Sequence, residues 1–194
     1  MHFTKPPIHI RGCGRSGTTL LLSILSSHPE IFACLLELGM YDKVVQDKSR
    51  KLAPTRLDRL YRILITKRIK STNTRWCEKS PTNINHVQEI SSYHEGRFKF
   101  IHIVRDGRDV ILSKHPTTPD EYYVALERWV HDVKAGYEER NNSLVYTVKY
   151  EDLILQFESE IVGICDFLEI PMCDDILNWN SHASVRKNGA YFGE

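Results

Sequence analysis

The chain has 194 residues, 41% of them hydrophobic and 26% charged, which suits one soluble globular domain spanning 1–194 with a sizeable core. Its formal net charge of +1 gives no support to bulk nucleic-acid or membrane-surface binding, so any anion site must be local. No apolar run is long enough to span a bilayer and the first residues lack the apolar stretch of a leader. The five cysteines (Cys13, Cys34, Cys77, Cys165, Cys173) show neither a disulfide framework nor a zinc spacing. A reduced, cytoplasmic protein with no membrane span and no metal site is expected.

Ile8 and Ile10 alternate with His9 and Arg11, which predicts a first strand over about Ile8 to Cys13. Leu20, Leu21, Leu22, Ile24 and Leu25 then predict a buried helix from about Thr18 to Ser27, ended by Pro29. Ile31 to Leu38 is a short apolar run whose only charge is Glu37, readable as a helix-surface residue or as a placed acid or base. The stretch 41–75 reads as a helical insert near an acceptor site. Leu57, Leu60, Tyr61 and Leu64 fall on one helical face. Lys67, Arg68, Lys70 and Arg75 close it, either as a solvated helix end or as a basic lip beside an anion site.

A short second strand is expected from Trp76, stopping at Pro81, and a helix over Asn83 to Ser92 with Ile84, Val87 and Ile90 inward. Phe98 to Val104 is the strongest strand pattern, nearly continuous as in a strand covered on both faces. It runs into Arg105-Asp-Gly-Arg-Asp and a helix start. A long helix is predicted over Pro119 to Arg140, with Tyr122, Ala125, Leu126, Trp129, Val133 and Tyr137 on its inner face. Leu144 to Tyr150 reads as a fourth strand, followed by a helix to about Leu168 that Pro171 ends, and Asn178 to Glu194 as irregular chain. Strands alternating with helices predict an α/β three-layer, P-loop-like domain with a mainly parallel sheet. Ligands of such sheets bind at the carboxyl ends of the strands, which places the first loop, Lys79, Arg105 and Tyr150 on one rim.

Gly12, Gly14 and Gly17 lie between that first strand and helix, where positive φ and free helix N–H groups make a cradle for a phosphate-type anion. The spacing Gly12-x-x-x-x-Gly17-Thr18-Thr19 is a P-loop with Thr18 in the lysine position, and Arg15 is the only cation inside the loop. Arg105 and Ser113 form a second potential anion site, although Arg105-Asp-Gly-Arg-Asp also reads as a tight turn with local ion pairs. A ligand with two separated phosphate-like groups and little need of magnesium suits this better than ATP.

Gly14–Leu21 (GRSGTTLL), Phe100–Ser113 (FIHIVRDGRDVILS), Glu78-Lys-Ser-Pro81 between them and Lys149-Tyr-Glu-Asp-Leu153 after them resemble, in order, the sulfotransferase superfamily. That resemblance implies transfer of a sulfuryl group from 3′-phosphoadenosine 5′-phosphosulfate (PAPS) to a hydroxyl or amine, leaving adenosine 3′,5′-bisphosphate. Gly14, Arg15, Ser16, Gly17, Thr18 and Thr19 would hold the 5′-phosphosulfate, Arg105 and Ser113 the 3′-phosphate, and Tyr150 would lie beside the adenine. Arg186 and Lys187 resemble a C-terminal element reaching the 3′-phosphate, or are a basic surface tail.

Lys79 is expected to stabilise the leaving oxygen, unless it merely pairs with Glu78. Cytosolic members place a histidine shortly after this lysine, but Ser80 and Pro81 stand here. The loop arginine, the Ser27-His-Pro-Glu30 turn and Glu37 are similar to the tyrosylprotein and bacterial branch, in which a glutamate is the proposed base. Glu37 is therefore the expected base, with His86 (expected on a solvent-facing helix surface) and His102 (expected within the strand) as alternatives. The acceptor is a small molecule, glycan or peptide, and the basic content of 41–75 hints at an anionic or polar one. A P-loop kinase with an aberrant loop and a non-catalytic nucleotide-binding module remain the competing readings.

Overall fold

The computed structural model describes residues 3–35, 37–39, 57–115 and 118–185. Five parallel strands form one sheet in the order β2-β3-β1-β4-β5: β1 (Ile8–Arg11), β2 (Ile31–Ala33), β3 (Arg75–Lys79), β4 (Lys99–Val104) and β5 (Val145–Lys149). β2 lies inside the apolar run 31–38, where no strand is predicted. Its three residues are too few to show a period, yet they pair Ile31–Ala33 with Arg75–Cys77 along one sheet edge.

Strand alternation sorts the core into two layers. Ile8, Ile10, Cys77, Ile101, Ile103 and Val148 face one side. There they meet α1 (Thr18–Leu25), α6 (Tyr150–Leu155) and α7 (Phe157–Leu168) through Leu21, Leu25, Leu153, Ile161, Ile164 and Leu168. The helix predicted to run unbroken to Leu168 is divided at Gln156, whose backbone leaves helical angles. On the opposite side Trp76 and Phe100 meet α2 (Leu57–Thr66) and α3 (Val87–Tyr93) through Leu60, Val87 and Ile90. Pro81–Asn85 forms a 3₁₀ turn before α3, so the helix expected from Asn83 starts at Val87, with Ile84 buried as its pattern requires. Two further one-turn helices follow: α8 (Asp174–Leu177), in which Ile176 is fully buried, and α9 (Trp179–His182), which lies at the start of the tail expected to be irregular.

Two predicted features fall elsewhere. Arg75, grouped by sequence with a basic lip, is the first residue of β3 and is buried. Asn73 and Thr74 bond the carbonyls of Pro29 and Glu30, so Lys70 and its neighbours lie at the amino-terminal edge of the sheet, away from the rim that binds ligands. The long helix begins only at Leu126: α5 is Leu126–Glu138, because Glu121 closes a turn on Thr118 and Lys114 bridges Tyr122 in an antiparallel contact. Its inner face is also not the one expected. Gly136 and Asp132 are buried and Trp129 is partly so, while Tyr122, Leu126 and Tyr137 are exposed.

Gly136 explains this choice of face. A Cβ there would fall inside the imidazole of His102 on β4, so only glycine lets α5 lie against the sheet at this point. Gly136→Ala is expected to destabilise the fold by about 1–3 kcal/mol through overpacking. Adding His102→Ala should return part of that loss, as read by urea denaturation of the single and double variants.

Candidate functional site

The site follows from where consecutive connections diverge. The chain leaves β1 through α1, which lies on one face of the sheet and leads toward β2. It leaves the adjacent β4 through α4 (Gly107–Ile111) and α5, which lies on the other face and leads to β5. The crevice between the ends of β1 and β4 is therefore the topological switch point of the sheet, where ligands of α/β folds bind. Both predicted anion holders open from it: the glycine-rich loop after Arg11 and Arg105 after Val104.

The loop is tightly constrained. Gly12 (φ 152°) passes against the Ile103 carbonyl, so a Cβ there would overlap it. Gly17 (φ 97°) caps α1 without any side-chain cap bond, and its Cβ position is filled by the Tyr150 ring. Gly14 keeps negative φ and is needed because Tyr123 lies 2.8 Å from where its Cβ would stand. The third positive φ of the loop falls on Arg15 (69°), a conformation an L-residue adopts only where its surroundings require it. Arg15 itself points to solvent. Ser16 and Thr18 are buried, and the Ser16 hydroxyl has no partner among the described residues. Together with the free N–H groups of the first turn of α1, that orphaned hydroxyl suits an anion in the cradle.

Arg105 extends over the Tyr150 ring (4.4 Å to its centroid), bonds the Arg15 carbonyl (3.4 Å) and pairs with Asp109 (3.2 Å). Its Nε is buried with no partner among the described residues. Tyr150, the first residue of α6, thus fills the space between Gly17 and Arg105 and joins the two predicted anion holders. Ser113 donates to the Asp109 carbonyl at the end of α4, and Trp129 seats α5 on Gly107 while its Nε1 bonds the Arg105 carbonyl. Arg108 forks onto Asp106, so the local ion pairs of a tight turn form in this segment beside the half-buried Arg105.

On the other flank of the loop, Ile10 of β1 lies in register with Lys79 of β3. Lys79 pairs with Glu37, bringing together the two residues singled out as leaving-group cation and base. Glu37 is 56% exposed, so the apolar run around it does not bury the carboxylate. Glu78, the sequence-adjacent alternative partner for Lys79, points to the opposite face of the sheet. There it accepts bonds from His9 Nδ1 (2.8 Å), Ser80 Oγ (2.8 Å) and Asn83 Nδ2. Arg186 and Lys187 lie outside the described residues, as does the part of the insert before Leu57.

The histidine alternatives are less well placed. His86 is buried where solvent exposure was expected, because the 3₁₀ turn rotates it inward. His102 is buried under Gly136, and burial beside the Arg11 guanidinium pushes its imidazole down to about 3. Burial and the neighbouring His9 push His94 down to about 3 as well. The Cys13 thiol at the base of the loop is pushed up to about 12 by burial and by Asp132, which leaves it an inert neutral group.

Three features were not found from sequence. Arg11 is fully buried with its guanidinium over Phe100 (4.6 Å) and no hydrogen-bond partner among the described residues. Glu78 sits at the centre of a buried network, and Arg128 and Tyr123 pack beside Gly14. Alternation along β1 and β3 shows that Arg11 and Glu78 turn away from the α1 side, but nothing local shows what they meet there.

The depressed histidines set an acid limit to stability. An unfolded imidazole titrates near about 6.5, so between that value and about 3 the unfolded chain binds protons that native His94 and His102 exclude. Stability is therefore expected to fall as pH drops through this window. Urea midpoints at pH 7 and pH 5 measure the loss, and His102→Asn should flatten it.

A parallel sheet with a glycine-rich loop and Arg105 side by side at its switch point defines an α/β domain of P-loop-like class. The chain belongs to the Sulfotransferase family, whose model matches residues 6–175, as the motif resemblance implied. It is similar to the protein-tyrosine sulfotransferase of Drosophila melanogaster, at 28% identity over 203 residues, covering 89% of this chain and 40% of the fly protein. The chain spans about half the length of the curated relatives it matches. Its fold is shared with the sulfotransferase domain of the Synechococcus PCC 7002 olefin synthase (TM-score 0.65, 22% identity, covering 92% of this chain and 78% of that one). It is also shared with a mouse sulfotransferase complexed with PAP (TM-score 0.61, 17% identity, covering 91% and 63%).

Proposed function

We propose that the chain transfers a sulfuryl group from PAPS to a hydroxyl or amine acceptor. The observation that carries this reading is the pair of anion holders on adjacent strand ends, bridged by Tyr150 and flanked by the Lys79–Glu37 pair. Family membership supports the reaction, and the solved relative with PAP supports the nucleotide. Two holders suit a donor with phosphate groups at both ends of its ribose better than the contiguous phosphates of ATP, for which Thr18 removes the usual lysine.

When bound, the donor would supply the sulfuryl group and a phosphate leaving group. The loop from Gly14 to Thr19 holds the 5′ end with backbone N–H groups and the Ser16 hydroxyl, and Arg15 adds a cation at the solvent side. Arg105 and Ser113 hold the 3′ end, with Tyr150 at the base. Lys79 meets the negative charge that grows on the leaving oxygen, and Glu37 accepts the proton of the acceptor. Positioning and a preorganised field carry the rate in this scheme. The acceptor is a small molecule, glycan or peptide. Five free thiols, four of them buried, support a reducing, cytoplasmic setting.

Calorimetry with adenosine 3′,5′-bisphosphate against ATP tests the donor. Tighter binding of the bisphosphate is expected, and Arg105→Ala should weaken it about tenfold or more, the size of one charged hydrogen bond. Magnesium-dependent ATP turnover without bisphosphate binding would instead establish a kinase. Lys79→Ala should lower kcat by about 10²–10³ while leaving bisphosphate affinity within a few-fold. Near-normal transfer by both Lys79→Ala and Arg15→Ala would sink the mechanism.

A further inference from the structure

Glu37 lies on a short strap beside the end of β3, between one fastening at Cys34 and another at Gly39. Upstream, the Cys34 N–H donates to the Cys77 carbonyl (2.8 Å), continuing the ladder of β2. Downstream, the Gly39 N–H donates to the hydroxyl of Ser80 (3.0 Å), which is buried just past β3. Cys34 and Leu38 point into the core, whereas Glu37 reaches the rim and Lys79.

The downstream fastening depends on the direction of one hydroxyl. Ser80 Oγ can accept from Gly39 only with its own proton turned elsewhere, and it donates that proton to Glu78 Oε2 (2.8 Å). Glu78 is fixed in turn by His9 Nδ1 and Asn83 Nδ2 on its other oxygen, and His9 Nε2 meets His94 Nε2 (3.3 Å). A wholly buried carboxylate is not needed to fill this space, since an apolar group of the same shape serves packing as well or better. What the carboxylate supplies here is a direction, passed through Ser80 to the backbone two residues from Glu37.

We infer that Glu78 and Ser80 are positioning residues for Glu37, holding its carboxylate against Lys79 through the Gly39 N–H. This rests on the reading of Glu37 and Lys79 as the reacting pair. Adjacent residues of one strand then do complementary things: Lys79 presents the cation and Glu78, on the other face, orients the strap that carries its partner.

The test combines exchange with kinetics. In Ser80→Ala the Gly39 amide, followed by NMR, should exchange at least tenfold faster while the β4 amides keep their protection. With a sulfuryl acceptor, kcat should fall at least tenfold, with KM and the affinity for adenosine 3′,5′-bisphosphate changed less than threefold. In a Glu37→Gln background the same substitution should cost less than twofold, because the residue it positions is already disabled. Glu78→Gln, which removes the acceptor for the Ser80 proton, should behave likewise, and Ser80→Thr, which keeps the hydroxyl, should retain Gly39 protection and kcat.

Unchanged Gly39 exchange in Ser80→Ala would overturn the anchor. Faster exchange with kcat unaltered, or losses that multiply fully with Glu37→Gln, would overturn the positioning role. The exchange readout needs no turnover. A protein that transfers no sulfuryl group would refute the functional reading separately, by failing to bind the bisphosphate or to turn over in its wild-type form.

Discussion

The close approach of Gly12 to the Ile103 carbonyl governs the rest of the site. Any side chain at position 12 would force β1 and β4 apart at their carboxyl ends. With that contact made, the loop has nowhere to run except over the crevice between the two strands. Gly17 then settles on Tyr150, Tyr150 supports Arg105, and Arg105 returns to the Arg15 carbonyl. One close backbone approach is thereby converted into a ring of contacts that fixes the two proposed anion holders relative to each other. The left-handed Arg15 belongs to this ring, since a loop held at Gly12 and Gly17 leaves little freedom between them.

The cations at the rim are positioned before any ligand arrives. Lys79 is held by Glu37, and Arg105 by Asp109 and the face of Tyr150. Partners of this kind limit the reorganisation needed when an anion binds, which is where electrostatic catalysis gains most. Arg11 stands apart from them. It is buried on the α5 side of the sheet with its guanidinium over the Phe100 face, and burial lowers it to about 10, against a smaller opposing effect of Glu139. It is a charge of the interior, and the rim does not use it.

How much could be read in advance varied with how local the determining contacts are. The cradle was legible because glycine spacing, the strand before it and the helix after it lie within about twenty residues, and each follows from backbone sterics. The parallel sheet was legible from β1, β3, β4 and β5, whose patterns are long or strongly apolar, and its rim correctly collected the loop, Lys79, Arg105 and Tyr150. β2 was hidden because three residues in an apolar run have no recognisable period. The inner face of α5 is not legible in the sequence, because its apolar stripe points elsewhere and the contact with the sheet is a glycine against a histidine. Arg75 was grouped with nearby cations although its strand position buries it. The pairing of Lys79 with Glu37 joins residues 42 apart in sequence, and the Glu78 network joins three elements, so neither is visible in local pattern.

The alternation of Glu78 and Lys79 at the end of β3 has a consequence for how this region can vary. A slip of β3 by a single residue against β1 would turn the lysine into the interior and the glutamate toward the rim. Both would then be wrong at once: a cation among aromatic side chains, and a second carboxylate where Glu37 already stands. Intermediate arrangements do not exist, because a pleated strand offers only two directions. Insertions or deletions within Arg75–Lys79 are thus far more disruptive than substitutions, and the spacing between the start of this strand and its lysine is as much a part of the proposed chemistry as the lysine.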